Sequence, residues 1–293
     1  MITRVTSQTM TQTALRHLQG GLSDLARLQA QATSQRAFAA PSDDPSAASM
    51  TLGLHAAQRR TEQYSRNIDD GLAWVTTVDA AISSSTALLG RVRDLTVQGA
   101  NSGVMDAPAR EAIAVELEGL RDSLRAQANT TYLGRSVFAG TSDTAAFASD
   151  YTFSGAAGAD VRRRVSDAES VRVDADGAEV FGTGAGSVFA LVDTIAAELR
   201  AGTNVGPRLG EIDSRLQAML GAQGAVGARQ LQIERAKEAA LDSTVALETR
   251  RAAVEDVDAV EVLVQLQAQE LVYKSALAVT GRVLQPTLLD FLA

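Results

Sequence analysis

Residues 212–254 read IDSRLQAMLGAQGAVGARQLQIERAKEAALDSTVALETRRAAV. Ile212, Met219, Val226, Ile233, Ala240, Leu247 and Val254 fall seven apart in this stretch. Seven residues make nearly two helical turns, so a sustained seven-residue apolar spacing marks a helix lying along another helix. A second register takes over at Val257, Val264, Leu271 and Ala278. The N-terminal region offers a partner, with Leu15, Leu18, Leu22 and Leu25 at alternating steps of three and four. Both ends of the sequence therefore read as sticky helices. That favours a protein that assembles over one that turns over a substrate.

Proline outlines the rest. Pro41, Pro45, Pro108, Pro207 and Pro286 leave the stretches 46–107 and 208–285 free of proline, and proline breaks helix interiors. Residues 6–35 are predicted as a first helix, weakened by Gly20-Gly21 and firm only when packed. Asp44 is placed to cap a second helix, with Pro45 in its first position. That helix is predicted from about 45 to 98, with Tyr64, Ile68, Leu72, Val75, Ile82, Leu89 and Val92 as its stripe. Gly99, Asn101 and Gly103 end it, and Asp106 or Pro108 opens a third helix carrying Ile113, Leu117, Leu120 and Leu124.

Composition shifts after Gly134 towards Gly, Ser, Thr and Asp. Short runs such as Tyr151-Thr152-Phe153 and Ser170–Val173, and the hairpin-type pair Asp176-Gly177, predict a small β-rich insert. A short helix with Val188, Leu191, Val192, Ile195 and Leu199 follows. The expected fold is mainly α: a long antiparallel helical rod or coiled coil built from both chain ends, with a small β-rich insert domain. Its expected divisions are a terminal assembly domain of 1–40 plus 257–293, a helical rod of 41–136 plus 187–256, and an insert of 137–186.

Aromatic residues make up only 4% of the 293, as suits helix contacts built on Ala, Leu and Val. The net charge of −8 argues against a nucleic-acid partner held by phosphate contacts. The absence of cysteine excludes disulfides and thiol chemistry. No stretch is expected to be a membrane span, and no membrane insertion is expected. The first residues, Met1–Gln8, lack the apolar core of a cleaved secretory leader, so any export is expected to use a different route.

The candidates for chemistry have plainer readings. Asp43-Asp44 reads as a helix cap and not as a metal pair. Asp174-Ala175-Asp176-Gly177 resembles part of a calcium loop, but Ala185 stands where the bidentate Glu belongs. Gly182–Ser187 lacks the lysine of a phosphate loop, leaving Ser187 as an N-cap. Arg162-Arg163-Arg164 reads as a solvated strand or loop. His17 and His55, the two histidines, have no metal-ligand spacing. No enzymatic activity, catalytic residue, metal site or cofactor is expected. The stretch 259–273 is more telling: it is apolar around most of the helix, with only Glu261 and Glu270 charged. Such a helix is buried on several sides, more than one partner helix covers, so neighbouring subunits are expected to cover it.

These residues carry a resemblance. Pro41-Ser42-Asp43-Asp44-Pro45, Arg66-Asn67 with Trp74, Gln98 with Asn101, and Phe138-Ala139-Gly140 resemble successive blocks of the flagellin superfamily. Glu255-Asp256-Val257-Asp258 is similar to its return junction. The stretch 282–292, with Leu284, Leu288, Leu289 and Phe291, looks like the hook–filament junction members of that superfamily more than the filament flagellins. The resemblance implies a secreted structural protein of the bacterial flagellum, passed outward by the flagellar type III export machinery with an export chaperone. Its implied partners are another hook-associated protein on the hook side, flagellin on the filament side, and further copies of itself in a ring or helical layer. The implied assembly surface takes in Leu15, Leu18, Leu22, Leu25, Val257, Val260, Val264, Leu271, Leu284, Leu288, Leu289 and Phe291. Two other readings stay open: a filament flagellin, and a cytoplasmic coiled-coil binding module.

Overall fold

A computed structural model describes residues 2–101, 106–156 and 158–283. Among the described residues there are seven α-helices: α1 (Ile2–Ser34), α2 (Pro45–Ala100), α3 (Ala107–Ala128), α4 (Gly177–Phe181), α5 (Val188–Arg200), α6 (Leu209–Glu255) and α7 (Ala259–Val283). Four short strands, β1 (Thr131–Tyr132), β2 (Arg135–Ser136), β3 (Arg162–Arg164) and β4 (Ser170–Arg172), form two antiparallel pairs. The chain is mainly α with little β structure, as its periodicity predicts.

The helix ends follow local chemistry. Gln35 adopts φ 57° and its N–H donates to Gln31, ending α1 in the left-handed turn usual at a helix C-terminus. Asp44 Oδ1 accepts from the Ala47 N–H at 2.9 Å and so caps α2, with Pro45 as its first residue. Asp106 caps α3 in the same way through Ala109, and Ser187 caps α5 through Ala190. The pair Asp176-Gly177 corrects the hairpin expectation. Asp176 accepts from the Ala178 N–H and opens α4, because its carboxylate satisfies a free helix N–H. Only Phe153 of the run 151–153 pairs in β fashion, in an isolated bridge to Phe147. The hairpin turn proper lies earlier, at Leu133-Gly134, between β1 and β2, where both residues have positive φ.

The chain divides into two units: residues 1–60 with 244–293, and residues 61–243. In the second, α2 and α6 run antiparallel. Asp69 pairs with Lys237 at 2.9 Å, Asp79 accepts from Gln223 at 3.3 Å, and Arg93 pairs with Asp213 at 2.7 Å. One index rises as the other falls. This register sets Ile68, Val75, Ile82 and Leu89 of α2 against Ile233, Val226, Met219 and Ile212 of α6, all of them buried. The seven-residue beat is thus satisfied within the chain here. Helix α3 contributes Ile113, Leu117 and Leu124 to the same core, and α5 lies against α3, tied by Arg200 to Glu111 and by Arg121 to Asp193. An 18-residue window of α2 is long and apolar enough to cross a bilayer by composition, contrary to expectation. Its apolar stripe belongs to this core, where nine apolar α2 side chains from Ile68 to Leu95 are buried.

Six of the twelve aromatic residues are gathered in one place. Phe138, Phe147, Phe181 and Phe189 meet largely edge to face, with ring centroids 5.1–5.9 Å apart. Phe153 and Tyr151 flank them. This cluster packs the segment after β2 onto the helices, because short strands alone bury too little to hold it.

In the first unit α1 and α7 pair antiparallel. Half-buried or buried positions of α1 include Thr11, Ala14, Leu18, Gly21, Leu25, Leu28 and Ala32. Those of α7 include Val262, Leu266, Gln269, Tyr273, Ala276 and Thr280. Both sets step by three and four, the spacing of a coiled-coil seam. Gln269 Nε2 donates to the Gly21 carbonyl at 3.4 Å, and the Tyr273 ring packs beside Gly21.

Candidate assembly surface

The α1–α7 pair carries a second apolar face. Leu15 and Leu22 on α1 are about half exposed, and they sit one step off the seam residues Leu18 and Leu25. On α7, Val260, Val264 and Leu271 are 72%, 60% and 68% exposed, with Leu263, Val272, Leu277 and Val279 also open. Val264, Leu271 and Ala278 are the seven-residue register read from the sequence, and it points away from α1. Large apolar side chains grouped this way mark an interaction surface. Val257 lies between α6 and α7, half-buried, its N–H donating to the Gln35 carbonyl. Leu284, Leu288, Leu289 and Phe291 lie outside the described residues.

The motif residues hold the scaffold. Pro41-Ser42-Asp43-Asp44-Pro45 forms a tight turn into α2: Asp43 Oδ2 accepts from the N–H groups of Ala39 and Ala40. The Ala40 and Ala39 N–H bonds hold the Asp43 carboxyl below its ordinary value. Asn67 Nδ2 donates to the Arg164 carbonyl at 2.8 Å, fastening β3 to α2, and Arg66 bonds Gln63 on its own helix. Trp74 is buried against Tyr132 at 5.4 Å, with the Arg163 and Arg135 guanidinium groups over its ring. Gln98 and Asn101 are exposed at the end of α2. Gly140 has φ +62°, and a Cβ there would lie 2.0 Å from the Ala159 carbonyl oxygen, so no other residue fits.

Asp174 is buried, accepting from the Val161 N–H and from Arg172, so its oxygens are already engaged. A groove of about 430 Å³ is lined by Ser187, Arg208 and Arg215. Arg208 is paired with Glu198 and Glu211, and Arg215 donates to the Gly186 carbonyl. Among the described residues no three His, Asp or Glu side chains converge as metal ligands.

One cluster went unread in the sequence. The Glu255 side chain is only 5% exposed, and three basic groups face it. Arg36 lies 3.1 Å from one oxygen; Arg251 at 2.8 Å and His55 at 3.6 Å face the other. The Arg251 hydrogen bond holds the Glu255 carboxyl below the ordinary glutamate range. Backbone bonds stitch the same point: Ala37 N–H to the Glu255 carbonyl at 2.8 Å, and Val257 N–H to the Gln35 carbonyl at 3.2 Å. The signal available was the block Glu255-Asp256, but nothing local indicates that Arg36 is its partner.

The family profile described as the bacterial flagellin N-terminal helical region matches residues 5–143. Flagellin A of Vibrio anguillarum is 31% identical over 134 residues, 46% of this chain and 35% of that protein. Flagellar hook-associated protein 3 of Escherichia coli strain K12 is 26% identical over 197 residues, 67% of this chain and 62% of that protein. The chain thus matches about a third of the flagellin's length and under two thirds of the hook-associated protein's. In fold, the chain is similar to a flagellar hook-associated protein from Vibrio parahaemolyticus, with a TM-score of 0.68 and 24% identity. That likeness covers 73% of this chain and 100% of the other. The resemblance read from the motif blocks is borne out: the chain is similar to flagellins and to flagellar hook-associated proteins.

Proposed function

We propose that this chain is a structural protein of the bacterial flagellum that joins the hook to the flagellin filament, and that it is not an enzyme. The observation that carries the reading is the outward apolar face of the α1–α7 pair, on a chain similar to hook-associated protein 3. A monomer gains nothing from exposing Val260, Val264 and Leu271, whereas a helical layer of copies covers them. In this reading Leu15, Leu22, Val260, Val264 and Leu271 meet neighbouring copies, a hook-associated protein meets the layer on one side, and flagellin adds on the other. The parts are a terminal assembly domain (1–40 with 257–293), a rod (41–136 with 187–256) and an insert (137–186). The protein acts outside the cell, in the flagellum, after passage through the type III export machinery with a chaperone.

Deleting the gene tests this. The expected phenotype is complete hooks without filaments, with flagellin released into the medium, seen by electron microscopy and a flagellin blot. Normal filaments on the deletion strain, with no second copy of the gene, contradict the proposal. The filament flagellin is the second reading, favoured by the match to Flagellin A. It requires this chain to be the bulk protein of sheared filaments, where a junction protein is a trace component.

A further inference from the structure

Leu133 stands out on two counts. It is 79% exposed, the most exposed large apolar side chain among the described residues. Its φ of 48° lies in the left-handed region, where a Cβ is strained and Asn or Gly is the usual occupant. With Gly134 it makes the two-residue turn between β1 and β2, and asparagine there would remove both costs. The turn is held firmly. Tyr132 lies against the buried Trp74, and the Asn129 side chain bonds both the N–H and the carbonyl of Phe147. Val137 N–H donates to the Thr130 carbonyl at 3.1 Å. A backbone outlier that also exposes an apolar side chain points to a contact.

The same unit carries a groove of about 290 Å³, lined by α2, α6 and the turn between β3 and β4. Ala236, Ala239, Ala240 and the buried Val165 make its wall apolar and small. Asp167 and Glu169 bring two carboxylates to it, which accept from neutral donors, Tyr64 at 2.8 Å and Gln232 at 2.7 Å. Arg164 fixes that turn by bonding the Ser166 and Asp167 carbonyls. Beside the knob the charge is opposite: Arg135 flanks the Leu133 turn, 39% exposed and paired loosely with Asp143 at 3.9 Å.

We infer that Leu133 of one copy seats in the groove at 236–240 of the next, with Arg135 turned to Asp167 and Glu169. The occupant is a second copy because knob and groove match in size, polarity and charge within one chain. They are different surfaces, so the contact is head-to-tail. Each added copy leaves a free knob and a free groove, and copies build a ring or a helical layer instead of stopping at a pair. The inference rests on the reading of this chain as a layer-forming flagellar protein and names the contact that forms the layer.

The chain has no cysteine, so an introduced pair reports this contact alone. Leu133→Cys with Ala239→Cys is expressed in the deletion strain, its flagella are oxidised, and the denatured protein is blotted. The double variant is expected to give a ladder of dimers and higher oligomers, and either single variant monomer alone. Flagella that contain the double variant but yield only monomer overturn the inference. Dimers from Leu133→Cys alone do so too, since they signal a symmetric knob-to-knob contact. Leu133→Asn separates assembly from folding. In the purified monomer it is expected to raise the urea midpoint of Trp74 fluorescence, because it relieves the turn. In cells it is expected to cost filaments. A lowered midpoint gives Leu133 a role inside the single chain and overturns the inference, as do wild-type filaments on a deletion strain carrying Leu133→Asn. Normal filaments on the deletion strain itself contradict the junction reading alone and leave the ladder as the test of the contact. A missing ladder with filaments lost on deletion contradicts the contact alone.

Discussion

Gly21 and Gly99 are both helical glycines, yet the space around them differs. A Cβ at Gly21 meets Tyr273 at 3.5 Å, an ordinary contact. A Cβ at Gly99 falls 2.5 Å from Leu199, a fully buried side chain locked in the core. Gly21→Ala is therefore expected to slow hydrogen exchange in residues 9–34, through a helix-propensity gain of about 1 kcal/mol. Gly99→Ala is expected to destabilise the second unit by about 1–3 kcal/mol through overpacking, read as a lower urea midpoint of Trp74 fluorescence. A midpoint unchanged by Gly99→Ala would mean that Leu199 has another rotamer available. Neither glycine's surroundings were legible in the sequence, where Gly21 weakens a helix and Gly99 ends one. The difference lies in what stands opposite them.

At the scale of the element, α7 has two apolar faces that a linear pattern superimposes. Val262 is buried in the seam against α1, and Leu271 faces outward. An aspartate at each site has opposite consequences. Leu271→Asp is expected to leave the monomer's circular dichroism unchanged and to abolish assembly, since the carboxylate meets water in the monomer and an apolar neighbour in the assembly. Val262→Asp is expected to cost helix signal in the monomer itself. Full swimming of a deletion strain carrying Leu271→Asp would show that this face meets no subunit. The α1 leucines divide in the same way, with Leu18 and Leu25 towards α7 and Leu15 and Leu22 away from it.

For the whole molecule, buried side chains are distributed very unevenly between the two units. The second holds the large core of α2, α3, α5 and α6 together with the Phe cluster, and Trp74, the single tryptophan, lies in it. The first holds five described buried residues. Local stability follows buried apolar contact, so urea is expected to remove protection from α1 and α7 before Trp74 fluorescence changes. One coincident transition for both probes would refute this. Ile82→Ala, in the second core, is expected to lower the Trp74 transition by about 2–5 kcal/mol and to leave exchange in 259–282 as it was.

The sequence by itself determined that this chain is helical, where its long helices begin and end, and that both termini need partners. Those properties are local. A seven-residue apolar beat, Asp44 before Pro45, and Asp106 before Pro108 act on their own few turns of chain and mean the same in any context. The tertiary structure alone decided which face of α1 and α7 turns inward, why Gly99 and Gly140 have to be glycine, and that Asp176 opens a helix and not a hairpin. It also decided that Glu255 draws together Arg36, His55 and Arg251. Apart from the Asp176 cap, which Ala178 completes two residues on, each of these depends on a partner from a distant part of the chain, and the pairing of distant residues is set by tertiary packing, which no local pattern contains.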